Sequence, residues 1–155
     1  MQTARDLLFG GVAPATLVAD AGLTALRVGA GLMMAVGHGL PKIPPHEGFV
    51  GMVEGIGLPV PLFFAWLAGI AELIGGLLLA AGLLTRPAAA VILGTMLVAA
   101  FGVHFAAGDP LFAVDGPSAE MAVLYAFVAL SFMLVGSGRL GVDHLVRERV
   151  ARLTP

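Results

Sequence analysis

Cysteine is absent from this 155-residue chain, and charge is scarce: Asp, Glu, Lys and Arg together make up 12% of it. Without cysteine there is no disulfide, no thiolate metal site, no iron–sulfur ligand set and no thiol–disulfide chemistry, and the redox compartment is left open. With so little charge, 59% hydrophobic residues and a mean hydropathy of +0.99, the chain has too little polar surface to cover itself in water. A soluble domain is nearer half apolar and a quarter charged. A net charge of −2 points away from nucleic acid. No strand, glycine loop and helix follow one another as a dinucleotide or flavin site would need. The start lacks a strongly basic segment and Pro14 interrupts its apolar run, so no cleavable signal peptide is expected.

What the chain does have is long apolar runs. Residues 67–87, LAGIAELIGGLLLAAGLLTRP, hold one carboxylate, Glu72, in an otherwise apolar, Gly- and Ala-rich stretch. A helix crossing the roughly 30 Å hydrocarbon core needs about 20 such residues. Four stretches qualify, at about residues 21–40, 62–84, 88–107 and 119–135. They predict an all-α integral membrane protein, a four-transmembrane-helix bundle running up-down-up-down. A lead of residues 1–20 precedes the membrane domain of residues 21–136, with an interfacial helical turn expected around Leu7 to Phe9. A basic amphipathic tail, residues 137–155, follows it. The segment 41–61 has five prolines and four glycines and is too broken to span, although residues 48–56 suit a short interfacial helix. Arg5, Arg86, Arg139, Arg147, Arg149 and Arg152 fall on one side and Lys42 on the other, so the positive-inside rule puts both termini in the cytoplasm. The tail can also attract anionic membrane lipid.

The polar residues inside the spans are the candidates for chemistry, because a charge at the bilayer centre costs roughly 2.5–3.5 kcal/mol. Ala68, Glu72, Gly76 and Ala80 recur every four residues, placing Glu72 on a small-residue face that packs against other helices. Arg27 and His38 share a face of the first span, about three turns apart. Arg27 and Glu72, expected to differ in depth by roughly 6–9 Å, form a candidate structural ion pair. The alternative makes Glu72 a proton carrier or substrate contact. His38, Lys42, His104 and Glu120 should gather near the outer surface. That set admits a hydrated network, a quinone or similar lipid-soluble ligand, a divalent metal, or a haem held by His38 and His104. Leu93, Leu97 and Phe101 crowd the face beneath His104 and make haem the poorest fit. Tyr125 falls elsewhere on its helix.

Several blocks occur in an order that resembles the DoxX family: VGHGLPKI ending the first span, GLPVP, LAGIAELIGGLLLAAGLLTRPAA, Val103-His104, the acid Glu120 and the closing GSGRLGVDHL. The likeness runs over about residues 26–145. It implies a four-helix protein of a bacterial or archaeal cytoplasmic (inner) membrane, multi-pass, associated with redox chemistry. Relatives include a subunit of a thiosulfate:quinone oxidoreductase. The positions matching the family's polar pattern are Arg27, His38, Lys42, Glu72, His104 and Glu120. The resulting expectation is a membrane subunit linked to quinone redox chemistry. In it Glu72 and His104 serve as catalytic groups, His38, Lys42, His104 and Glu120 bind the ligand, and no intrinsic cofactor or metal is held. Electrons would come from a soluble or membrane partner protein, and a homo-oligomer is the other expected association. The alternative is a non-catalytic scaffold or anchor subunit of an oxidoreductase complex.

Overall fold

The computed structural model describes residues 10–12 and 16–153; the turn expected around Leu7 to Phe9 lies outside the described residues. Among those residues there are helices and no strands. The first helix, α1, begins at Leu17–Leu32, where the Thr16 hydroxyl accepts the Ala19 N–H at 3.1 Å as its N-cap. It continues unbroken through a stretch of wider π-helical turns, Met33–Gly39, and one tight 3₁₀ turn, Leu40–Lys42. Pro41 lies in that last turn, and the helical run ends one residue after it. The short helix α2, Glu47–Gly55, matches the interfacial segment expected there. Helix α3 spans Pro61–Ala81, with proline in its first turn and Gly82, at φ 70°, just past its end. Helix α4, Thr85–Leu97, again widens into π-helical turns over Val98–Phe105. Helices α5, Glu120–Val135, and α6, Val142–Leu153, complete the chain.

Three of these runs are long and apolar enough to cross a membrane: Leu17–Lys42, Pro61–Ala81 and Thr85–Phe105. Helix α5 is apolar but has 16 residues, so it covers about 24 Å at 1.5 Å per residue. The first run starts four residues before the expected span. The third starts three residues early, because Thr85-Arg86-Pro87 is the opening turn of α4 and the chain reverses in the three residues before it. Outward-facing side chains are apolar along the helices, including Val36, Ile70, Ile74, Val91, Phe101, Leu124 and Phe127, all exposed. Water-soluble monomers rarely show such continuous apolar surface.

Helix α1 packs on α3, α3 on α4 and α4 on α5, while α5 returns to α1 along a short seam only. The core between them holds Met34, Leu79, Ile92, Met96, Tyr125 and Phe132. A smaller cluster, Phe49, Val53 and Ala65, seats α2 on the first turns of α3. One end of the bundle carries α6 and is called the tail end; the other, with α2 and the α4–α5 connection, is the loop end.

The tail is bound to the bundle by its own carboxylate. Asp143 is fully buried and accepts the N–H groups of Leu84 at 2.7 Å and Thr85 at 2.9 Å, so it caps α4 from almost sixty residues downstream. Its own N–H goes to the Gly82 carbonyl at 2.8 Å. Leu84 sits at φ 48°, a strained conformation for a side-chain-bearing residue that this cap holds in place. Arg86 donates to the Met133 and Leu134 carbonyls and closes the last turn of α5. Replacing Asp143 by Ala removes a charged N-cap and should cost about 2 kcal/mol. A lowered melting temperature together with faster proteolysis in residues 137–143 is the expected result.

Candidate functional site

Two glycine-based contacts fix the register of α1 against α3. A Cβ on Gly31 would lie 2.6 Å from the Ala80 nitrogen, and one on Gly76 would lie 2.7 Å from the Ala35 nitrogen. Further along, a Cβ on Gly39 would collide with the Leu73 backbone and with Glu72. Only glycine lets the two backbones come this close. This register puts Glu72 opposite Gly39. Arg27 lies twelve residues before Gly39, so its backbone is about 18 Å from the level of Glu72.

The Arg27–Glu72 pair expected from the sequence therefore does not form. Glu72, 2% exposed, is held by Lys42 instead, whose ammonium donates to Oε1 at 2.7 Å and Oε2 at 2.6 Å. Helical side chains lean toward their own N-terminus. In antiparallel helices that sends Arg27 toward the tail end and Glu72 toward the loop end, away from each other. Arg27 ends on backbone: its Nη1 donates to the Leu79 carbonyl at 2.8 Å and to that of Ala80 at 2.6 Å. These are two of the last carbonyls of α3, where the helix dipole favours a cation.

The Lys42 ammonium also lies 5.1 Å from the centre of the Phe49 ring, so α2 covers the pair with a cation–π contact. His46 caps α2 by accepting the Phe49 N–H on Nδ1 at 3.2 Å. The pair and its cover thus come from α1, α2 and α3 at the loop end.

The remaining predicted ligand residues do not join it. His104 is turned to Asp109, Nδ1 to Oδ2 at 2.8 Å, and the Asp109 N–H donates back to the His104 carbonyl at 2.9 Å. Gly108, at φ 83°, makes the turn that folds Asp109 onto the histidine. A carboxylate on Nδ1 leaves Nε2 as the nitrogen that can meet a ligand. Glu120 opens α5 and is exposed. His38 faces Tyr125, ring centres 5.3 Å apart in an edge-on arrangement. The cluster of His38, Lys42, His104 and Glu120 read from the sequence is therefore resolved into separate contacts at one end of the bundle. The reason is topological: α1 and α4 lie diagonally across the bundle, so their two imidazoles are directed to different neighbours. Among the described residues no three His, Cys, Asp or Glu side chains are grouped to hold a metal ion.

The short α1–α5 seam leaves a groove of about 390 Å³ lined by Leu32, Met33, Val36, Gly37, His38, Met121 and Tyr125. Its walls are apolar and its polar tips are the imidazole and the phenol. Neither makes a hydrogen bond to another described residue. Sequence reasoning missed Tyr125, which is 7% exposed and part of the core. The available signal was that it is the only tyrosine in the chain, placed mid-helix among apolar residues where a phenol needs a reason to be. Both histidines of the predicted cluster sit in π-helical segments, a distortion frequent at functional sites.

Comparison with known proteins gives a consistent picture. The chain is 36% identical over 77 residues to an uncharacterized protein of Haemophilus influenzae, covering 50% of this chain and 58% of that protein. It is 33% identical over 127 residues to a Bacillus subtilis protein named "Putative oxidoreductase CatD", covering 82% of this chain and 88% of the relative. No solved structure matches it significantly. The DoxX family profile matches residues 22–105, which takes in most of α1 and all of α2 to α4 and, with them, Arg27, His38, Lys42, Glu72 and His104. This is an all-helical membrane protein of the DoxX family.

Proposed function

We propose that the protein is a multi-pass subunit of a bacterial or archaeal cytoplasmic membrane that binds a quinone, or a lipid-soluble ligand of the same shape, in the α1–α5 groove. The observation that supports this most is the groove itself: apolar walls, a volume of about 390 Å³ within the usual range for small-molecule sites, and two polar tips at its end. A quinone has that pattern, a flat apolar ring with carbonyl oxygens and an apolar tail. The His38 imidazole and the Tyr125 hydroxyl can each donate to a ring carbonyl, while the tail leaves between helices into lipid. In this reading α5 is the fourth span, its length made up by the connections at its two ends. The tail end, with Arg86, Arg139, Arg147, Arg149 and Arg152, faces the cytoplasm, and the groove opens toward the outer leaflet.

The chain supplies binding, orientation and proton exchange, and electrons come from a partner protein. His104, its ring set by Asp109, and the Lys42–Glu72 pair lie at the same end as the groove and are the groups through which protons reach the surface. Glu120 adjoins Met121 of the groove wall and contributes negative charge at its mouth. The name of the Bacillus relative is in keeping with a role beside an oxidoreductase.

The test is titration of the purified protein in lipid nanodiscs with a short-tailed menaquinone or ubiquinone analogue. His38→Ala and Tyr125→Phe should each weaken binding about tenfold, the effect of losing one hydrogen bond of about 1.4 kcal/mol. Undiminished binding after both substitutions would put the ligand elsewhere.

A second reading, a non-catalytic scaffold or anchor of a redox complex or a homo-oligomer, draws on one observation: Arg27 and Glu72 are both engaged with the chain itself. Purification in mild detergent separates the two readings. A scaffold brings its partner down in fixed ratio and retains that partner when His38 and Tyr125 are both replaced.

A further inference from the structure

With Glu72 taken by Lys42, the buried guanidinium of Arg27 needs another source of negative charge. Its Nη1 hydrogen bonds go to the neutral carbonyls of Leu79 and Ala80. Asp20 and Asp143 are the carboxylates that act on it electrostatically, and both are fully buried. Asp143 spends its two oxygens on the Leu84 and Thr85 N–H groups. Asp20 accepts the Arg139 N–H on Oδ1 at 3.0 Å, and no described residue donates to its Oδ2.

Three side-chain atoms at this place are buried and have no hydrogen-bond partner among the described residues: Asp20 Oδ2, Thr24 Oγ1 and Arg27 Nε. Positions 20, 24 and 27 are successive turns of one face of α1. Their needs are complementary. The carboxylate oxygen needs a donor, the guanidinium N–H needs an acceptor, and the hydroxyl between them can serve as either. Leaving all three bare in a low-dielectric interior would cost several times the worth of an ordinary hydrogen bond. The one small molecule that donates and accepts in this pattern is water, and buried waters typically make about three such bonds.

We infer that Asp20, Thr24 and Arg27 form a binding site for ordered water, which joins carboxylate to guanidinium as a water-bridged ion pair. The surrounding glycines are shaped for this polar knot. A Cβ on Gly138 would lie 2.5 Å from Asp20 Oδ1, and one on Gly82 would lie 2.7 Å from the Arg27 guanidinium carbon and 2.8 Å from the Gly141 Cα. Through the Arg139 N–H the same carboxylate holds the start of the tail, so the hydrated site couples α1 to the segment that positions α6. The inference stands apart from the ligand reading of the α1–α5 groove.

The experiment is a high-resolution map of the full chain in lipid nanodiscs together with melting temperatures of Thr24→Val, Asp20→Asn and the double variant. Water density within hydrogen-bond reach of Asp20 Oδ2 and of Thr24 Oγ1 or Arg27 Nε is the expected result. Thr24→Val should lower the melting temperature by about 2–4 °C. Asp20→Asn should lower it at least as much, because it removes the negative charge that the water links to the Arg27 guanidinium. The double variant should fall well short of the sum, since both changes disturb the same water. A donor from elsewhere in the chain on Asp20 Oδ2 overturns the inference. So does strict additivity, or an Asp20→Asn variant as stable as the parent, which would mean that Oδ2 carries a proton and donates.

Discussion

Lys42→Met is expected to destabilise the protein by about 3–5 kcal/mol, the cost of leaving a buried carboxylate without its partner. Glu72 is 2% exposed, and both of its oxygens are bonded by the one ammonium. Arg27, the partner that the sequence suggested, is about 18 Å away along the helix axis. Glu72→Leu should do less harm than Lys42→Met. Lys42 keeps a quarter of its side-chain surface exposed and can turn its ammonium outward, whereas Glu72 cannot escape. The double replacement, Lys42→Met with Glu72→Leu, should recover most of the loss, as apolar substitutes for buried pairs generally do. Reversible unfolding in mixed micelles, read as a double-mutant cycle, checks all three values. If Lys42→Met and Glu72→Leu prove equal and additive, the two groups are not coupled and the contact is incidental. Arg27→Gln/Glu72→Gln should be additive, which separates this arrangement from the pairing suggested by sequence.

The second large effect belongs to the α1–α3 seam. Gly76→Leu should disrupt folding or assembly of the bundle, while Gly94→Leu should be tolerated. A Cβ at Gly76 would lie 2.7 Å from both the Ala35 nitrogen and the Gly31 oxygen; nothing lies within 4 Å of one at Gly94. Overpacking a seam ordinarily costs about 1–3 kcal/mol, and more where the obstacle is backbone, which cannot rotate aside. Because this seam also places Lys42 beside Glu72, Gly76→Leu should remove the coupling between those two as well. Expression level and thermal stability in detergent, compared between the two leucine variants, provide the check. Equal behaviour would mean that α1 and α3 are not in the register described.

Much of this could be read from composition and spacing alone. Scarce charge and long apolar runs required apolar helices able to cross a membrane. The four-residue recurrence of Ala68, Glu72, Gly76 and Ala80 required a tightly packed face with the acid on it, and Gly76 does meet α1 there. The proline clusters bounded α2, and the end of the fourth apolar run set α5 to within a residue. Those features depend on local periodicity, which the chain carries wherever it folds.

Partner choice was not local. Arg27 and Glu72 were the two costly charges in the spans, and cost alone suggests they should meet. The glycine contacts shift α1 along α3 and the two side chains lean to opposite ends, so Lys42 took the acid and backbone carbonyls took the arginine. Asp143, in a stretch that read as a plain basic tail, became the cap of α4. Tyr125 became one wall of a groove because α5 touches α1 only briefly. Sequence determined which residues had to be kept from lipid. Only the tertiary structure decided what each would face, because a register shift of a few residues moves a side chain by several ångströms and changes its neighbour, while leaving the periodicity of each helix untouched.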